Sequence, residues 1–341
     1  MVSICLLTYN GRRFIADCLN SVLSQTYNKI ELIVIDNNSQ DDTVEIIQNL
    51  IATANVNFPI RIINNKNNLG FSAGHNLCIK ESHGELVFLL NQDIILGADF
   101  VEKIVPIFSQ DEKIGAVQGK LLRLKVGDGD LLKTKTIDNT GLVMLKNRRI
   151  IARGQGQADN GQFDQPQEIF GADGASPIFR RQALEEVKIC LNERCEYLDE
   201  DFFAYKEDVD LAWRLRSAGW KAYFEPIAVA WHARSAGESA ATGYFAIIKE
   251  RLKIGKFAKY LAFKNQRLMQ IKNEQASILL RHLPWFLPKE IGSWIYVILF
   301  ERYTQKAIKD LFRQAPRAWQ KRKIIMAKKL LSNKDMGKWF E

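Results

Sequence analysis

The chain is poor in the features that would set it apart from ordinary globular enzymes. Only five of its 341 residues are cysteine, at positions 5, 18, 78, 190 and 195. The count is odd, no Cys-x-x-Cys occurs, and no small secreted disulfide framework is visible. The expectation is reduced thiols in a cytosolic compartment. Eight prolines and 21 glycines are too few for a low-complexity chain. No apolar run approaches the roughly 20 residues of a membrane span. The longest late stretch is Trp294 to Phe300. Met1 leads straight into an apolar run at 2–7 without a basic leader, so no signal peptide is expected. What is present is 47% hydrophobic and 26% charged. That excludes disorder, collagen and coiled coil, and it allows one large core or two modest ones.

Charge is unevenly placed. From Ala240 onward there are 22 Lys and Arg against seven Asp and Glu, whereas residues 1–239 carry 26 against 32. An acid-rich catalytic part and a basic tail are implied. The tail suits an anionic membrane surface, an acidic substrate or nucleic acid, or else it is a solvated helical face.

Apolar runs at 2–7, 30–35 and 86–90, with a weaker one at 60–63, alternate with helical-period segments at about 12–25, 41–51 and 74–82. That alternation predicts βαβ units and a sheet covered on both faces. Ligands bind such sheets beyond the carboxyl ends of the strands. Those ends read Thr8-Tyr9-Asn10-Gly11, Asp36-Asn37-Asn38-Ser39, Asn67-Asn68-Leu69-Gly70-Phe71 and Asn91-Gln92-Asp93. One such cluster is ordinary turn or capping chemistry. Four at one edge point to a site. Further on, strands with a hairpin turn near 146–149, helices at 181–187 and 207–218, and strands at 221–224 and 227–231 are expected. Beyond Gly237, amphipathic helices are expected at 244–269, 273–282, 288–313 and 316–331.

The opening SICLLTYNGRRFIADCLNSVLSQTYNKIELIVIDNNSQDDT resembles a family 2 glycosyltransferase. NNLGFSAGHN, LLNQD, GADGASPIFRR, FFAYKEDVDLAWRLRSAGW and a closing Trp-His extend the resemblance in the family's order over residues 2–235. Within the family the pattern is most similar to rhamnosyltransferase-like members. The resemblance implies a GT-A fold: an α/β, Rossmann-like mixed sheet flanked by helices. It divides the chain into a catalytic domain at 1–238 and a basic helical region at 239–341. The donor half would lie at about 1–118 and the acceptor half at about 119–238.

The resemblance also implies roles. The nucleotide-sugar donor would meet Thr8, Tyr9, Asn10, Asp36, Asn38, Asn68, Gly70, Phe71, Gly74, Asn76, Asn91 and Gln92. Charge growing on the leaving diphosphate needs a cation. A divalent ion, Mg²⁺ or Mn²⁺, would sit on Asp93 and His232. Where the family often has two carboxylates, this chain has Asn91-Gln92-Asp93, so Asp93 is the main anion. Asp208, supported by Glu207, would be the base that deprotonates the acceptor in an inverting transfer. Asp173, Gly174 and Glu207 would border the acceptor. His75, His83 and His282 get a structural reading, Asp199-Glu200-Asp201 a loop, and Asp210 with Arg214 an i,i+4 pair. Arg180 and Arg181 are left between phosphate contact and solvation.

The donor expectation is dTDP-rhamnose, with a UDP-hexose or UDP-N-acetylhexosamine as the alternative. The acceptor would be a saccharide or a polyprenyl-diphosphate-linked glycan at the inner face of the cell membrane, in cell-surface polysaccharide synthesis. The tail helices would dock on an anionic membrane surface or form a homodimer, and no nucleic acid is expected. Two competitors are weaker. A nucleotidyltransferase would want a basic glycine-rich phosphate loop that Thr8 to Arg13 does not make. A decayed binding protein is argued against by Asp36, Asp93, Asp208 and His232 all being present.

Overall fold

The computed structural model describes residues 1–127, 130–234 and 243–341. The expected domain boundary at 238–239 lies outside the described residues. The N-terminal part runs β1 (Val2–Thr8), α1 (Ile15–Leu23), β2 (Ile30–Asp36), α2 (Thr43–Thr53), β3 (Ile60–Asn64), α3 (Gly70–Glu81), β4 (Leu86–Asn91), β5 (Ile94–Leu96) and α4 (Phe100–Ile104). The middle holds β6 (Ile114–Val126), β7 (Leu131–Asn139), β8 (Leu142–Met144), β9 (Ile150–Ala152), β10 (Gln167–Ile169), β11 (Ile178–Arg180), α5 (Arg181–Val187), β12 (Ile189–Leu191), β13 (Arg194–Glu196), α6 (Glu207–Ser217) and β14 (Lys221–His232). Five helices follow: α7 (Tyr244–Lys253), α8 (Lys256–Asn273), α9 (Ala276–Phe300), α10 (Gln305–Ala327) and α11 (Asn333–Gly337).

The strands form a mixed sheet in the order β10-β14-β6-β11-β4-β1-β2-β3, with β5 on β14 and β7 on β6. β1, β2, β3 and β4 are parallel, whereas β11 runs antiparallel between β4 and β6. β1 is buried along its whole length because both faces are covered. Ile4 and Leu6 pack with Ile15 and Leu19 of α1. Cys5 and Leu7 join the opposite core with Cys78 and Ile79 of α3. β14 passes through Pro226 as a single strand and not as two, with the ladder to β6 slipping between Glu225 and Val229. A bulge accommodates the missing N–H of a proline.

A third core joins α6 to the C-terminal helices. Val209 and Trp213 pack with Leu268 and Met269 of α8, Ile278 of α9, Leu311 of α10 and Phe340. The helical breaks expected at Pro288 and Pro316 are absent, since both prolines lie inside helices, as does Pro284. An interior proline costs about 3 kcal/mol. The chain instead breaks around Gly255, Gln275 and Glu301. The reduced-thiol expectation is corrected at one pair. Cys190 and Cys195 stand opposite each other across the β12–β13 hairpin and form a disulfide, while Cys5, Cys18 and Cys78 are free and buried. No helix among the described residues is long and apolar enough to cross a membrane.

Candidate active site

The parallel register brings the polar strand ends level. Thr8 lies opposite Asp36, Asp36 opposite Asn64, and Leu7 opposite Asn91. Gln92 joins two of these ends. Its Oε1 accepts from the Thr8 hydroxyl at 2.5 Å and the Tyr9 N–H at 2.9 Å, and its Nε2 donates to the Tyr9 carbonyl at 3.1 Å. Gln92 is thus a strut. Asn10, at φ 48°, accepts from the Gln40 N–H, while its own N–H donates to Ser39. Tyr9 stands 42% exposed at the rim, free to cover a planar ring. Asn38 takes the left-handed conformation at φ 69°.

Asp36 is buried. One carboxylate oxygen accepts from the Ser39 N–H at 3.0 Å, and the other has no partner. A buried orphan acceptor is costly unless a ligand completes it. The helix-capping work of this cluster falls to Asp41, which accepts from the Thr43 N–H at 3.2 Å.

Asn37, which sequence reasoning passed over as part of a capping cluster, is a hub. Its amide donates to Asn68 Oδ1 at 3.1 Å and the Gly70 carbonyl at 3.0 Å, and its Oδ1 accepts from Asn65 and the Leu69 N–H. Asn68 in turn accepts from the Gly70 N–H at 2.8 Å. This bond starts α3 at residue 70 and not at 74. Gly70 sits at φ +81°, and a Cβ there would meet the Phe203 ring at 2.5 Å. A Cβ on Gly74 would meet Leu7 at 2.6 Å. Asn76 is a correction to the donor set. Its amide donates to the Leu198 carbonyl and Glu200, and its Oδ1 accepts from the N–H groups of Tyr197 and Leu198. With all four hydrogen bonds made inside the protein, it braces the fold. Phe71 packs edge-on to His75. Burial pushes the His75 imidazole down to about 3.

Asp93 and His232 come together from the turn after β4 and the end of β14. The Asp93 carboxylate lies 3.5 Å from His232 Nε2. On its other side, His232 Nδ1 is 2.8 Å from the carboxylate of Asp138, a fully buried residue of β7. Arg234 donates to Asp138 at 3.2 Å. Burial works against a charged imidazole, but Asp93 and Asp138 outweigh it and lift His232 to about 10. His232 in return holds Asp93 below the ordinary carboxylate range, against the opposing effect of burial. A carboxylate, an imidazole nitrogen and a second carboxylate fixing the imidazole's far side make up the usual surroundings of a divalent cation. No group of three or more His, Cys, Asp or Glu able to hold a metal occurs among the described residues. Any cation placed here would find at most Asp93 and His232 as protein ligands.

The residues expected on the acceptor side converge from two segments. Asp208, in the first turn of α6, accepts from its neighbour's N–H, that of Val209, at 2.8 Å and from the Gly174 N–H at 3.2 Å. Asp173 is buried, accepts from Asn139 and the Ala175 N–H, and is held up in pKa first by burial. It feels His232, Arg234 and Asp208 electrostatically, so the two halves of the site are adjacent. Glu207 is buried with one oxygen unpartnered. Burial first, then the charge of Asp208, push it up to about 8. Asn91 is half-buried and makes no side-chain hydrogen bond among the described residues. Arg180 and Arg181, both partly buried, are held by the protein itself. They donate to the carbonyls of Phe108, Ile114 and Gly84.

The loop before α6 is strained. Phe203, Tyr205 and Lys206 all have positive φ, at 65°, 68° and 78°. Asn265 of α8 holds it, with one amide donating to the carbonyls of Phe202, Ala204 and Tyr205 at 2.8–2.9 Å. The Phe203 carbonyl accepts from the Ser72 N–H, which ties the loop to α3 as well. The acidic run at 199–201 is no open loop. Asp199 is buried between Lys272 and Lys321, and Lys321 also reaches Glu196 at 2.6 Å and Asp201 at 2.7 Å. Asp210 pairs with Arg214 at 3.0 Å as the spacing implied, and also with Lys272 at 2.8 Å. Part of the tail's basicity is thus spent neutralising the acid-rich half.

Glu207 yields a pH prediction. Its carboxyl is about 4.5 ordinarily and about 8 in the fold. The folded state therefore favours the proton, so this group's contribution is fully present below about pH 4.5 and is lost as pH rises through 8. Wild type should lose on the order of 2–4 kcal/mol between pH 5 and pH 9 through this group. Glu207→Gln should flatten that decline. Parallel thermal-unfolding profiles for the two proteins would overturn the assignment.

Comparison with known proteins identifies the family and the fold. The family model described as Glycosyl transferase family 2 matches residues 3–188. The poly-beta-1,6-N-acetyl-D-glucosamine synthase of Staphylococcus epidermidis is 27% identical over 218 residues, which cover 63% of this chain and 45% of that protein. The chain spans less than half the length of that relative. Among solved structures, GalNAc-T7 with UDP, GalNAc and Mn²⁺ superposes with a TM-score of 0.58 at 13% identity, covering 80% of this chain and 48% of the other. Residues 1–349 of S. aureus TarS, in complex with UDP-GlcNAc, give 0.53 at 14% identity, covering 96% and 90%. The GT-A architecture is shared with these structures, and the chain belongs to glycosyl transferase family 2.

Proposed function

We propose that this protein transfers a single sugar, with inversion, from a UDP-sugar to a glycan or lipid-linked saccharide during cell-surface polysaccharide synthesis. The observation that carries this reading is the placement of Asp208 on a helix N-terminus beside the Asp93–His232–Asp138 group, with Asp173 between them. A UDP-linked N-acetylhexosamine replaces dTDP-rhamnose as the preferred donor. The relative above is a poly-N-acetylglucosamine synthase, and the structural neighbours hold UDP or UDP-GlcNAc. Nothing in these similarities speaks for rhamnose.

In this reading the free oxygen of Asp36 accepts from the nucleotide's imide N–H or a ribose hydroxyl, and Tyr9 covers the base. Asp93 and His232 hold a divalent cation, Mg²⁺ or Mn²⁺, which when bound offsets the charge growing on the diphosphate. Asp138 keeps the His232 ring oriented, with Nε2 turned toward that site. Asp208 takes the proton from the acceptor hydroxyl. Gly174 lets its own backbone approach Asp208 closely, since a Cβ there would meet Asp208 at 3.3 Å, and its N–H donates to that carboxylate. Glu207, kept neutral by burial, adds no second negative charge beside the base.

A donor panel tests the reading. Slow hydrolysis and thermal stabilisation should respond to a UDP-sugar with Mn²⁺ or Mg²⁺ present. A response to dTDP-rhamnose alone would overturn the donor, and silence across the panel would overturn the activity. Asp138→Asn should weaken Mn²⁺ binding to the UDP-loaded protein by about 10–100-fold, as titration calorimetry would read. An unchanged affinity would remove Asp138 from the site.

A further inference from the structure

We propose that α9 lies on an anionic lipid bilayer with its apolar stripe against the lipid, docking the protein to a membrane surface. Leu280, Leu287, Ile291, Ile295, Ile298 and Leu299 recur at helical spacing and are 44–66% exposed. They form one face roughly 30 Å long. Phe300, at 69%, follows it at the carboxyl end, and Trp285, at 54%, is exposed within its span. Soluble monomers do not leave a continuous stripe of this length to water without a use.

Charge selects the occupant. The five carboxylates of α7 to α10 and the turns between them are drawn inward or paired. Glu250 pairs with Arg149, Glu274 with Arg148, Glu290 with Arg267 and Glu301 with Arg251, and Asp310 accepts from Tyr260. The cations face out. Lys249, Lys253, Lys256, Arg302 and Lys306 are all exposed. They gather where the Arg251–Glu301 pair joins α7 to the carboxyl end of α9. An apolar strip with a cationic margin and no exposed acid complements anionic headgroups over a hydrocarbon layer. A second copy of this chain would bring two cationic margins together. α9 is not apolar enough to cross a bilayer, so it lies in the interface plane.

Vesicle co-sedimentation tests this without any sugar nucleotide, so its outcome is independent of the proposed reaction. Wild type should pellet with phosphatidylcholine vesicles containing about one-third phosphatidylglycerol, less with phosphatidylcholine alone, and less again as salt rises. Ile291→Glu with Ile295→Glu, on exposed positions, should reduce partitioning at least about tenfold while leaving the unfolding temperature in buffer unchanged. Lys249→Gln, Lys253→Gln and Lys256→Gln should each reduce it by up to about fivefold, which keeps the test open if the glutamate pair does not fold. Wild type remaining in the supernatant with anionic vesicles would overturn the proposal. So would a dimer, seen by light scattering, that the glutamate pair breaks while vesicle binding is unaffected.

Discussion

Asp208→Asn should bind donor as the wild type does and turn over about 10²–10⁴-fold more slowly. Asparagine has nearly the same shape, and its one oxygen can still accept from the Gly174 N–H or the Val209 N–H. What it cannot do is take a proton. The variant therefore separates the chemistry from the fold. Stabilisation by UDP and Mn²⁺ should be retained, because the donor contacts proposed above come from strand ends 8, 36 and 91–93 and from β14, not from α6. The loss should sit in kcat, with KM for the donor little changed. Turnover like that of wild type would sink the assignment of Asp208 as base. Lost donor binding would mean that the residue shapes the donor pocket instead.

The second large effect is on stability. Asp199→Ala should cost about 3–5 kcal/mol, the range for removing one partner from a buried ion pair. Asp199 is almost wholly buried and faces two ammonium groups, those of Lys272 and Lys321, themselves buried. Burial alone would raise its carboxyl, but the two lysines more than compensate and hold it far below the ordinary range. A depressed carboxylate contributes stability that is fully present above its unfolded value, near pH 4, and is lost as pH falls toward the folded one. The deficit of the variant should thus be complete at pH 7 and should shrink below about pH 4. Thermal unfolding at the two pH values reads both. Adding Lys321→Met to the variant should deepen the loss, because Lys321 also pairs with the buried Glu196. An unfolding temperature unmoved by Asp199→Ala would show the network to be energetically idle.

Much of the N-terminal part of the sheet was legible because its parallel strands read as apolar runs, and each was followed by a polar cluster at 8–11, 36–39, 67–71 or 91–93. Asp93 and His232 were paired through family resemblance, and the structure sets them 3.5 Å apart. Asp138 was not found. It lies far from both in sequence, in a strand whose pattern is irregular. Its one signal was a carboxylate next to Ile137 in a stretch that ought to be buried, where an unpaired acid is rare. Asn76 was misread because a helix carrying a donor motif still has an inner face, and sequence does not say which residues turn inward. Asn265 sits in a segment read only as a basic amphipathic helix. The helix ends of the tail failed for a related reason. Proline is a local cue, and in α9 and α10 the continuing helix overrides it. Cys190 and Cys195 are five residues apart, and only the hairpin geometry sets them face to face.

The bond from Asn265 to the strained loop limits how this protein can be re-engineered. A chimaera that kept the catalytic part and received another relative's helices after residue 243 would inherit an unsupported turn ahead of Asp208. It would also inherit Asp199 and Asp210 without their lysine. Such a graft would need its own amide at the position of Asn265 and its own cations at those of Lys272 and Lys321. If Asp173 and Gly174 border the acceptor as proposed, changes of acceptor preference are better sought in their segment than by transplanting the tail.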